Sequence, residues 1–154
     1  MITGIVRSGL CVVLLALASC ASPDSPQAKL DAFLAQAVAA AEDRDTSEIM
    51  DLVAEDYQDA QGRGQDDIRR YLMGMFLRFG SVHVDLETVD IPQLTDLGGE
   101  VELSLGLAGQ RGDNNPLWSL GARRHLLRLE LIAEGKDAPF QVLRASWRPG
   151  EDRD

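Results

Sequence analysis

The chain has two histidines, two cysteines and two tyrosines, and their spacing spells out no single reaction. His125 shares strand parity with Leu127, Leu129 and Leu131, which places it on an apolar face. An imidazole there can act as a general base, hydrogen-bond a ligand, or simply complete a core. His83 alternates with Val82 and Val84, so its parity sends it to the wetter face beside Asp85. Tyr57, Tyr71 and Trp147 offer apolar bodies with polar tips, suited to lining a ligand cavity and equally to filling a core. Asp56, Asp59, Asp66 and Asp67 gather around Gly62-Arg63-Gly64 in the manner of a cation loop. They lack the alternating ligands and closing Glu of an EF-hand, and solvation with helix capping by Asp66 accounts for them. Asp59 stands out as a candidate acid or base. No paired-His zinc spacing, nucleophile elbow, phosphate loop or dinucleotide fingerprint is present, so neither metal nor cofactor is expected. Arg111-Gly112-Asp113 is too short a match to carry meaning.

The elements that must position these residues can be read from periodicity. Pro26 suits a first helical position, and Leu30, Phe33, Leu34, Ala37, Val38 and Ala41 form one stripe, predicting a helix over Pro26 to Glu42. Asp45 with Glu48 three residues on predicts a second, short helix ending near Glu55. Tyr57 to Ala60 reads as a short strand. After the Gly62-Arg63-Gly64 turn, Ile68, Tyr71, Leu72, Met75, Phe76 and Phe79 predict a third helix closed by Gly80. Beyond Gly80 the period falls to two. Val82, Val84 and Leu86 share one face while Val89 and Ile91 share the other, so a bend is expected near Glu87-Thr88. Val101 to Leu107, Leu127 to Leu131, and Leu143, Ala145 and Trp147 give further apolar rows, with turns at Gly98-Gly99, Gly109 to Pro116 and Gly135 to Pro139. Arg128 and Arg144 fall on the opposite, wet face with Glu130 and Ser146, as salt bridges or a polar dimer interface. Helices first and strands last predict an α+β fold, with helices packed on a strongly curved antiparallel sheet.

The first nineteen residues are of another kind. Arg7 precedes the apolar run Leu10 to Leu17, which is far shorter than the roughly 20 residues of a membrane-crossing helix. This is a secretory signal. Leu17-Ala18-Ser19-Cys20 resembles the lipobox of bacterial lipoproteins, which implies lipid on Cys20 and residues 1–19 removed. The expected organisation is a signal at 1–19, lipidated Cys20 and a short tether to residue 26, a domain over 27–148, and a polar tail at 149–154. Ala21 in place of Asp implies, through the same resemblance, an outer-membrane location facing the periplasm. Loss of Arg7 and no acid leaves 135 residues with a net charge of −11, and no thiol remains in the folded part. That charge excludes nucleic acid as a partner.

Ala54-Glu55-Asp56-Tyr57, Gly62, Gly64 and Ile68-Arg69-Arg70-Tyr71-Leu72, in this order of elements, resemble the nuclear transport factor 2-like (SnoaL-like) superfamily. The resemblance implies a cone of helices and curved sheet with a pocket at its open end, and often a homodimer formed through the sheet. It implies no single activity, because the fold serves isomerases, cyclases, dehydratases, hydrolases and noncatalytic binders. The positions that correspond to the oxyanion-donating Tyr and the basic Asp of ketosteroid isomerase-like members fall near Ala37 and Gln61, and neither side chain can perform those roles. The expectation is therefore a noncatalytic domain that binds a small apolar ligand or an envelope protein through Tyr57, Tyr71, His125 and Trp147. The alternative is a small-molecule enzyme using His125 or Asp59 with Tyr57.

Overall fold

The computed structural model describes residues 25–111, 118–119 and 124–149. The signal sequence, Cys20, the start of the tether, most of the Gly109 to Pro116 turn and the tail beyond residue 149 lie outside the described residues.

Helix α1 spans Pro26–Glu42. Ser25 caps it, its Oγ accepting the Ala28 N–H at 3.1 Å, and Pro26 occupies the first turn, where a missing N–H costs nothing. Leu30, Phe33 and Ala40 are buried along its inner face, with Leu34 and Ala37 packed beside them. Arg44, at φ 57, turns the chain into α2 (Thr46–Asp51), and its guanidinium donates to the Phe79 carbonyl. Asp45 caps α2 as its spacing from Glu48 predicts, accepting the Glu48 N–H at 3.0 Å.

Helix α2 stops at Asp51 rather than near Glu55, because Val53 and Ala54 are already buried in strand β1 (Val53–Asp59). Tertiary pairing overrides the helical pattern there. Strand β1 runs parallel to β6 (Gln141–Pro149), so the sheet is mixed rather than wholly antiparallel. A third helix and the four intervening strands form the crossover between these two strands, while α1 and α2 precede it.

Helix α3 spans Gln65–Arg78. Its cap is Gly64, whose N–H donates to the Asp67 carboxylate at 3.2 Å, so the capping carboxylate is Asp67 and not Asp66. Gly80 does not close the helix. Phe79 is already extended and begins β2 (Phe79–Thr95), paired with Arg111. The buried stripe of α3 is narrower than its sequence suggests. Phe76 is buried, with Ile68 and Leu72 packed on the core, while Tyr71 is 58% exposed.

Strand β2 forms a long hairpin with β3 (Gly98–Arg111), and its register shifts between Thr88 and Asp90, where the change of apolar parity predicts a bend. Gly98, at φ 147, starts β3 beneath the Leu131 carbonyl, where a Cβ would collide with that oxygen. Strands β4 (Trp118–Ser119) and β5 (His125–Ile132) both pair with β3, and the sheet order is β1-β6-β5-β3-β2. Leu103 faces Leu127, Val101 faces Leu129, and Leu129 faces Ala145, which aligns the apolar rows over α1. One row is corrected by a register slip. Arg144 pairs with Glu130 but Val142 pairs with Leu131, so Val142 rather than Leu143 packs on the core. Cross-strand ion pairs hold the other face, Arg128 to Glu102 at 3.0 Å and Arg144 to Glu130 at 3.3 Å, as the wet-face parity of both arginines predicts.

Candidate functional site

Strand β1 delivers Tyr57 and then Asp59 to buried positions, and the turn that follows folds back around the carboxylate. Asp59 Oδ1 accepts the backbone N–H groups of Gln61 and Arg63, each at 2.8 Å, and Oδ2 accepts Arg63 Nε at 2.6 Å. Gly62, at φ 75, supplies the left-handed residue of this turn, and Ala60 N–H donates to the Ala145 carbonyl to fix it to β6. Burial pushes the Asp59 carboxyl upward, but the Arg63 N–H, the Arg63 guanidinium and the Gln61 N–H outweigh it. The acid is held below its ordinary value.

The Arg63 guanidinium, bound to Asp59 on one side, lies 4.9 Å from the centroid of the Trp147 ring on the other. Tyr57, Asp59 and Trp147 are thus brought together, and Arg63 joins them. Burial, followed by the neighbouring Asp59 charge, pushes the Tyr57 phenol up to about 12, with Arg63 acting in the opposite sense. At neutral pH Tyr57 is a protonated group beside an ionised carboxylate.

His125 begins β5 opposite Leu105 and Pro149, on the same face as Leu127, whose partner is Trp147. It is half-buried and diagonal to the indole, as its parity predicts. Tyr71, by contrast, lies exposed on α3. His83 is a surface residue, its Nδ1 2.8 Å from Glu42 Oε1, which also accepts the Val84 N–H and so ties the end of α1 to β2.

Two features escape a reading by periodicity. Arg63 looks like one residue of a glycine turn, yet it organises the whole Asp59 loop. A cavity of about 340 Å³ also opens between α1 and the connection from β5 to β6, with Phe33 and Phe140 in its floor and Lys29 and Lys136 in its wall. Its available signal is compositional: these are the two lysines of a chain whose other basic residues are all arginine.

Helices laid on an open, curved, six-stranded mixed sheet define the class, the α+β cone of the nuclear transport factor 2-like fold. No protein-family model matches the chain, and no curated protein is similar to it in sequence. Solved structures share its fold at low identity. A scytalone dehydratase-like protein from Novosphingobium aromaticivorans DSM 12444 is 12% identical over 81% of this chain and 84% of its own, with a TM-score of 0.68. A ketosteroid isomerase-like protein from Erwinia carotovora atroseptica SCRI1043 is 13% identical over 80% of this chain and 95% of its own, with a TM-score of 0.60. A nuclear transport factor 2-like protein from Rhodospirillum rubrum ATCC 11170 is 12% identical over 79% of this chain and 98% of its own, with a TM-score of 0.59.

Proposed function

We propose that this chain is an envelope lipoprotein facing the periplasm, whose cone domain binds a small apolar molecule or a partner protein at the Trp147 end without transforming it. The observation that carries the noncatalytic part is the state of Asp59. Both of its oxygens are engaged and its carboxyl is held ionised, so it can neither donate a proton near neutrality nor reach a substrate without dismantling its own turn. Tyr57 is a protonated phenol at neutral pH, able to donate a hydrogen bond but not to act as a base. Trp147 is 43% exposed beside the half-buried His125 and supplies the apolar surface with a polar edge that such binding needs. The isomerase, dehydratase or hydrolase alternative then runs through His125, with Tyr57 as a hydrogen-bond donor.

The envelope part rests on Leu17-Ala18-Ser19-Cys20 and the apolar run before it. Replacing Cys20 with Ser should move the protein from the membrane to the soluble fraction, and unchanged fractionation removes the anchor from the proposal. For binding, native mass spectrometry of the full chain in lipid nanodiscs, prepared from its own membranes, should show a reproducible adduct that Trp147→Ala removes. A chain with neither adduct nor copurifying partner overturns the binding reading. Turnover of a substrate, abolished by His125→Ala, would put the enzyme in its place.

A further inference from the structure

Lys29 and Lys136 lie at the same cavity, and their charges are handled differently from those of five of the arginines. Arg63, Arg70, Arg124, Arg128 and Arg144 each stand within ion-pair distance of a carboxylate. The Lys29 ammonium instead donates to three carbonyl oxygens, Asp96 at 2.7 Å, Lys136 at 3.2 Å and Gly135 at 3.5 Å, and lies 4.4 Å from the centroid of the Phe140 ring. Carbonyl dipoles fix its position and leave its formal charge in place. Lys136 is exposed, and among the described residues neither lysine has a carboxylate ion-pair partner. Asp137 is the one acid in the cavity wall, so two cations face one anion above an apolar floor.

We propose that this cavity binds a medium-chain carboxylate. Its tail would lie along α1 past Ala32 and over Phe33, with its carboxylate toward Lys136 and Lys29 as a fixed positive wall. A volume at the lower end of the small-molecule range suits a short or medium chain. An uncompensated cation beside apolar surface favours an anionic amphiphile over a neutral one, because a neutral guest leaves that charge unanswered. The site is separate from the Trp147 end. Phe140 and Trp147 are seven residues apart along an extended strand, roughly 23 Å at about 3.3 Å per residue.

The test is titration of octanoate, and separately of octanol, into the full chain in phosphatidylcholine nanodiscs, with empty nanodiscs subtracted and backbone amide shifts recorded. Octanoate should bind and move the signals of Ala32 and Lys136. Octanol should bind several-fold more weakly. Lys136→Gln should weaken octanoate about two- to fivefold, the scale of an exposed charge pair. Ala32→Leu, made at an exposed helix position, should fill the cavity mouth and abolish binding with the fold retained by circular dichroism. Absence of octanoate binding, equal affinity for octanol, or binding indifferent to Lys136→Gln each overturns the proposal. Shifts confined to Trp147 and His125 also overturn it and support the binding end proposed above, so the two readings fail separately.

Discussion

At opposite ends of β6, two cations lie against aromatic rings: Arg63 beside Trp147 at 4.9 Å and Lys29 over Phe140 at 4.4 Å. Arg63 is neutralised by a buried carboxylate and joined to it by a turn that uses every oxygen. Lys29 is held by neutral carbonyls drawn from two separate connections, the β2–β3 turn and the β5–β6 loop. The first arrangement closes a loop and commits both carboxylate oxygens to it. The second fastens α1 to two loops and leaves a charge that a guest can answer. A buried ionisable group can serve the fold as well as a reaction, and at Asp59 both oxygens serve the turn.

The rings themselves give the largest test of this contrast. Phe140 is fully buried and belongs to the core, so Phe140→Ala should cost about 3–5 kcal/mol, measured by chemical denaturation. A cost below about 1 kcal/mol would mean that the Lys29 end is a surface feature after all.

Asp59→Asn comes next. It removes the charge that Arg63 answers and places an N–H group among donors, for a loss of about 1–3 kcal/mol at pH 7. The sign with pH follows from the direction of the shift. A carboxyl whose folded pKa is lowered stabilises the fold above its ordinary value of 3.8 and loses that contribution as pH falls through the folded value. Wild type should therefore lose stability in acid more steeply than Asp59→Asn. Parallel acid profiles would detach Asp59 from the stability of this end.

Trp147→Ala should cost about 1 kcal/mol, because the ring is partly exposed and its Arg63 contact is a rim interaction. A loss equal to that of Phe140→Ala would erase the difference between the two ends.

The smallest effect concerns Tyr57, which is silent at neutral pH. In a Tyr71→Phe background every tyrosinate signal comes from Tyr57, and its absorbance should rise with a midpoint of about 12. Because the folded value is raised, the matching stability is fully present below pH 10.0 and is lost as pH rises toward 12. A midpoint at 10.0 would show an open, hydrated phenol and a looser Asp59 end.

Local rules made much of this molecule legible. Ser25, Pro26 and the stripe from Leu30 set α1, Asp45 with Glu48 set the start of α2, and the parity change after Leu86 marked the bend of β2. The order of helices before strands, with the stretch from Ala54 to Leu72, identified the cone. The sequence also determined the acidic charge balance, and the surface position of His83 followed from simple alternation. These features depend on bonds and contacts among residues close in the chain, so they leave a local record.

Tertiary structure decided the rest. Strand β1 was drawn out of a helical pattern by β6, nearly ninety residues away, and the slip at Glu130 and Leu131 exchanged Val142 for Leu143 in the core. Tyr71 fits a helical stripe, but α3 turns a narrower face inward than its periodicity allows. Arg63 reaching Trp147, and Lys29 reaching Asp96, Gly135 and Phe140, are pairings at separations that no spacing rule encodes. Periodicity tells a side chain which face it is on. Only the folded chain determines which distant group meets it there, and so whether its charge is cancelled or left open.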